Sequence, residues 1–214
     1  MPTMRLDHLS YACSTAALPD VVQRIGADLG AAFVDGGRHP RFGTRNFVLP
    51  LAGGTYVEVV AALDHPAAEK APFGRAVRAR AEEGGGWLGW VVAVDDLAPV
   101  ETRLGRPAVP GHRVRPDGVD LHWSQIGVLD LIANPQLPFF IRWDCRPDQH
   151  PSAGGGAVGI ERLEICGDPA RVAAWLGEDG PDPLDGIGVD WVDGESAGVE
   201  AVVFATPHGS VRVD

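Results

Sequence analysis

The sequence predicts an α+β fold built from repeats of one β-α-β-β-β unit. Three observations carry that prediction. Short runs alternate apolar and polar residues with the period of a strand. After the first run of each round comes one stretch with helical spacing, ended by a glycine. The same order of elements then appears three times, in units of roughly 60 residues.

RLDHLSYAC opens the first round as a strand, with Leu6, His8, Ser10 and Ala12 on one face and Asp7, Leu9, Tyr11 and Cys13 on the other. Leu18, Val21, Val22, Ile25 and Leu29 follow at helical spacing, with Pro19 at the start and Gly30 at the stop. AAFVDGG is a short strand, RHPRFG a loop, and TRNFVLPL and TYVEVVAAL a strand pair joined by AGG. A short helix is expected over about 73–83, and Gly84–Gly86 then form a hinge.

The second round starts with the strand WLGWVVAV. Asp96 caps a helix carrying Leu97, Val100 and Leu104 and stopped by Gly105. HRVR, VDLHWSQI and PFFIRW supply strands, the last reached through a longer connection. After the flexible HPSAGGGA, GIERLEIC is a strand and Asp168 caps a helix that starts at Pro169 and ends at Gly177. IGVDWVD, GVEAVVFAT and GSVRVD complete the third round. Residues 1–151 are thus expected to hold two paired modules, at about 4–63 and 87–143. Residues 152–214 form a third, partial module packed on them.

Composition narrows the function classes. An apolar fraction of 45% and a charged fraction of 22% suit a chain that buries a core. The net charge of −11 repels a phosphate backbone, so nucleic acid is not an expected partner. No apolar run approaches the length of a membrane span, and no signal peptide is visible at the N-terminus. Cys13, Cys145 and Cys166 form no CxxC pair and read as reduced thiols, which points to the cytoplasm. No nucleophile elbow, phosphate loop or dinucleotide glycine pattern occurs.

The tandem units, with LDHLSYA, YVEVVA, GGRHPRFGTRN and PFFIRWD, resemble the vicinal oxygen chelate superfamily and, within it, glyoxalase-like domain proteins. That superfamily includes glyoxalase I, extradiol dioxygenases and bleomycin-resistance proteins. The resemblance covers nearly all of residues 4–151 and implies curled mixed sheets around a cavity. It also implies metal ligands at His8, in the first-strand motif, and Glu58, in the last-strand motif. The implied cofactor is a divalent metal (Zn, Fe, Mn or Ni), with a metal-free cavity as the alternative. Modules of this superfamily pair within or between chains, so a homodimer is compatible with it.

The residues add their own weight. A carboxylate on an apolar strand is costly to bury without a partner, which makes Glu58 the more informative of the pair, as ligand or general base. The structural alternative is a half-exposed Glu58 and a hydrogen-bonded His8. Module two breaks the four-ligand pattern of glyoxalase I. Trp90 stands opposite His8, and Ile141 or Arg142 stands at the place of Glu58. His122 is the candidate third ligand; with His8 and Glu58 it would make a two-His-one-carboxylate set suited to ferrous oxygenation or metal-assisted enolisation.

Arg142 would bind an anionic substrate or pair with Glu58, unless it faces solvent. Asn46 and His39 are candidate substrate groups, with local turn bonding as the alternative. Tyr56, Trp90 and Trp123 would line the cavity. The expected function is a glyoxalase-like small-molecule enzyme, a metal-dependent lyase or isomerase or a dioxygenase acting on an oxygen-rich substrate. The alternative is a non-catalytic protein that binds or sequesters a small molecule.

Overall fold

The structure, a computed structural model, describes residues 4–177 and 183–214. The first module runs β1 (Arg5–Cys13), α1 (Leu18–Leu29), β2 (Val34–His39), β3 (Thr44–Pro50) and β4 (Tyr56–Ala62). Two helices follow, α2 (Pro66–Lys70) and α3 (Pro72–Glu82). The second module is β5 (Gly86–Ala93), α4 (Ala98–Leu104), β6 (Val109–Val114), β7 (Asp120–Ile126), α5 (Val128–Ala133) and β8 (Phe139–Asp144). The third unit is β9 (Gly159–Cys166), α6 (Pro169–Leu176), β10 (Gly188–Val192), β11 (Gly198–Thr206) and β12 (Gly209–Val213).

Helix punctuation follows the sequence. Gly30 and Gly105 end α1 and α4 in the left-handed region, at φ 62° and φ 65°. The Asp168 carboxylate accepts from the Ala170 N–H at the start of α6. Two boundaries differ from the pattern. β2 reaches His39, so that histidine sits on a strand and not in a loop. The long connection after β7 winds into α5.

The two modules close into one barrel in the order β1-β4-β3-β2-β6-β7-β8-β5. Within each module the first and last strands are parallel neighbours, β1 with β4 and β5 with β8. One seam is the long antiparallel pair β1–β5. The other, β2–β6, is thin, joined by the single bridge between Arg38 and Val114. The third unit keeps the element order but pairs differently, as β10-β9-β11-β12, so its first strand lies beside its second.

Two apolar clusters follow from the alternation. One lies inside the barrel and includes Val60, Val91, Trp123, Phe139 and Ile141, reached by Phe73 and Val77 of α3. The other lies outside it and joins Leu9, Val57, Val59 and Trp90 to Leu163, Val202 and Phe204 of the third unit. The Trp87 indole N–H donates to the Val213 carbonyl at 3.0 Å, tying barrel to outer sheet.

Candidate functional site

β1 is not regular. Its pairing with β5 slips between Leu6 and His8, because Asp7 forms a bulge. The slip moves Leu6 to the outer cluster and turns His8 and Ser10 into the barrel, so the single-face reading of this strand is corrected at Leu6. It also buries Asp7 beside the imidazole that follows it, at 3% exposure.

Asp7 is saturated with donors. Its carboxylate meets His8 Nδ1 at 2.6 Å, the Trp143 indole N–H at 3.1 and 3.2 Å, and His150 Nε2 at 3.3 Å. His150 Nδ1 accepts from the Ser152 backbone N–H, so its Nε2 carries the proton given to Asp7. Burial alone would raise the Asp7 pKa, but its hydrogen bonds to His150 and His8 overcome it and hold the group well below the carboxylate range. An ionised Asp7 fixes the proton of His8 on Nδ1 and leaves Nε2 as its working nitrogen. The ring is clamped by stacking on Tyr56, centroids 4.5 Å apart.

His8 Nε2 faces Glu58, 3.9 Å from Oε1. Glu58 is 4% exposed. The Ser10 hydroxyl donates to its Oε1 at 2.6 Å, and the Asn46 amide donates to Oε2 at 2.7 Å. Burial pushes the Glu58 pKa up, but the polar groups around it, these two hydrogen bonds among them, push it further down, so Glu58 is held ionised. Asn46 in turn accepts from Arg113 Nη1 at 2.9 Å. His39 bonds Thr44 at 2.8 Å, and burial lowers its pKa to about 4, so near neutral pH it adds no charge.

These groups line a cavity of about 30 Å³, room for a water or a small functional group. Its other wall is apolar, from Phe42, Phe73, Phe139 and Ile141 with Trp123 and Trp143. Six of the expected residues meet there: His8, His39, Asn46, Tyr56, Glu58 and Trp123.

Three others do not. Trp90 is buried in the outer cluster, its N–H on the Gln136 carbonyl at 2.9 Å. The β5–β8 register puts Val91 opposite Phe139, as His8 is opposite Tyr56, so Val91 and Ile141 occupy the places of His8 and Glu58. A one-residue offset changes the face, which is why Trp90 points outward. His122 follows the same rule on β7. It stands on the outer surface, 55% exposed in its side chain, stacked on His112 and paired with Asp120. Arg142 is exposed on the outer face of β8 and lines a separate groove.

Other residues of the site were not singled out from the sequence. Asp7 was hidden by the bulge, and His150 by its place in a proline-flanked loop. Arg113 and Gln125 carried a usable signal, since each alternates onto the inner face of its strand.

The arrangement does not fit a metal. Among the described residues no group of three or more His, Cys, Asp or Glu side chains could hold one. His8 and Glu58 face each other as only two donors, and the matching positions of the second module, Val91 and Ile141, are apolar.

A search of curated proteins finds no match. Among solved structures, a hypothetical protein from Staphylococcus aureus superposes with TM-score 0.68 at 15% identity, over 94% of this chain and 90% of that one, a likeness of fold. Methylmalonyl-CoA epimerase from Mycobacterium tuberculosis gives TM-score 0.44 at 15% identity, over 67% of this chain and 90% of that one. The Streptomyces coelicolor methylmalonyl-CoA epimerase in complex with 2-nitronate-propionyl-CoA gives 0.44 at 16%, over 66% and 96%. A family model, the glyoxalase-like domain, matches residues 6–179. With the paired β-α-β-β-β modules already in place, that match over most of the chain makes this protein a member of the glyoxalase-like domain family.

Proposed function

We propose that the barrel interior is the reaction site of a small-molecule enzyme that moves a proton on an oxygen-rich substrate. The observation that carries this reading is the Asp7–His8–Glu58 arrangement. A buried, ionised carboxylate fixes the tautomer of a clamped imidazole, whose free Nε2 lies 3.9 Å from a second ionised carboxylate. The gap between Nε2 and Oε1 is short enough for one small group to touch both. His8 Nε2 takes the proton as general base, Asp7 stabilises the imidazolium that forms, and Glu58 lends its charge to the same step. The apolar wall excludes water from the other side of the substrate.

The reaction class is isomerase or lyase chemistry next to a carbonyl. A divalent metal enters no step, because the donor set does not suit one. The ferrous two-His-one-carboxylate arrangement loses His122 to the outer surface, which leaves dioxygenation without its ligand set. The three unpaired cysteines support the cytoplasm as the working compartment.

One observation favours a second reading, binding without turnover. Glu58 already accepts a hydrogen bond at each oxygen, and the cavity holds little more than a water. Proton NMR in D2O separates the two. A panel of small oxo acids and their esters is incubated with the wild type, His8→Gln, Asp7→Asn and Glu58→Gln. Proton-transfer chemistry gives deuterium wash-in beside the carbonyl of at least one class, slowed about 10²–10⁴-fold in His8→Gln. Ligand binding with no wash-in in the wild type leaves the binding protein.

A further inference from the structure

Arg113 is a buried guanidinium with an incomplete set of acceptors. It is 3% exposed. Its Nη1 donates to Asn46, while its Nε, also buried, has no hydrogen-bond partner. Among the described residues no carboxylate forms an ion pair with it. Glu58 carries a compensating charge, but the Asn46 amide stands between the two. A guanidinium that served only to neutralise Glu58 would meet it directly through its planar fork. Held one amide away, it keeps donors for a second anion, and leaving a buried donor unmade is costly.

Its place in the wall supports that use. Arg113 lines both the inner cavity and an outer groove of about 490 Å³ that also reaches His150. It lies next to the thin β2–β6 seam, whose one bridge joins Arg38 to Val114. Backbone space is cleared for it: a Cβ on Gly36 would come within 2.5 Å of Arg113 Nη1.

We propose that Arg113 anchors a carboxylate of the substrate at the boundary between groove and cavity. The inference rests on the reading of the cavity as the reaction site and names the substrate class, a small carboxylic acid. A planar monoanion matches the fork. A dianionic phosphate suits the groove less, because Asp35, Asp117 and Asp148 line it beside Arg113 and Arg115.

The test uses the whole chain with sodium pyruvate, methyl pyruvate and inorganic phosphate as probes. Binding is followed by tryptophan fluorescence, since Trp123 and Trp143 line the cavity, and by the 15N resonance of the Arg113 Nε–H. Pyruvate is expected to saturate the wild type and shift that resonance, while methyl pyruvate does neither. Arg113→Gln is expected to weaken pyruvate binding at least tenfold, and Arg113→Lys to recover part of it. Equal affinity in Arg113→Gln, or no shift of the Nε–H in the wild type, overturns the anchor. Tighter binding of phosphate than of pyruvate overturns the carboxylate assignment. If Arg113→Gln fails to fold, the wild-type resonance decides. Arg113-dependent pyruvate binding with no deuterium wash-in anywhere leaves this anchor and removes the proton-transfer reading. Wash-in with an unchanged KM for carboxylates in Arg113→Gln removes the anchor and keeps that reading.

Discussion

At the scale of single residues, the site is a set of charges kept in one protonation state by burial and hydrogen bonds. His39 makes the clearest case, because its side chain bonds Thr44 and burial drives its pKa from 6.5 down to about 4. The unfolded chain therefore binds one more proton than the folded chain between those values. By linkage, stability from this group is complete above pH 6.5 and is lost as pH falls toward about 4. The full loss is on the order of 3 kcal/mol. Urea melts across that range are expected to show the decline, and His39→Gln to flatten it; an unchanged slope would assign the titration elsewhere. Asp7 and Glu58 act in a separate window. Their folded values are depressed, so their contribution is present above the ordinary carboxylate range and is lost on acidification below it.

At the scale of elements, two irregular strands aim the side chains. The bulge at Asp7 lets neighbouring residues 7 and 8 share one buried hydrogen bond, which a regular strand forbids by pointing them apart. β2 contributes by what it lacks. A Cβ on Gly36 would lie 2.1 Å from Asn46 Oδ1 and 2.5 Å from Arg113 Nη1, so the polar chain from Glu58 through Asn46 to Arg113 needs glycine there. Gly36→Ala is expected to cost about 1–3 kcal/mol in thermal melts and to displace that chain. Loss of the pyruvate-induced shift at the Arg113 Nε–H in a folded Gly36→Ala would bear this out; an intact shift would count against the tight fit.

At the scale of the whole molecule, the barrel wall is shared with the outer sheet. Trp87 packs against Phe204 and donates to the Val213 carbonyl, joining positions far apart in the chain. Trp87→Ala is expected to lower unfolding free energy by about 3–5 kcal/mol. Trp87→Phe keeps the packing, leaves the carbonyl without its donor and costs about 1 kcal/mol. Denaturant titration measures both. A Trp87→Ala cost as small as that of Trp87→Phe would show that the outer sheet adds little to the barrel.

The resemblance of two strand motifs to a known family singled out the pair His8 and Glu58; the sequence by itself determined the element order, the helix stops at Gly30 and Gly105 and the two-module architecture. These are local or periodic properties, written in hydrophobic alternation, glycine conformation and repetition. The tertiary structure decided which face each strand turns inward, and that depends on register. One slipped residue in β1 brought Asp7 into the site, and pairing with β8 gave the place of His8 to Val91 and not to Trp90. The same parity sent His122 and Arg142 outward and Arg113 inward. A strand pattern records that its two faces differ; only the partner strands fix which of them meets the cavity.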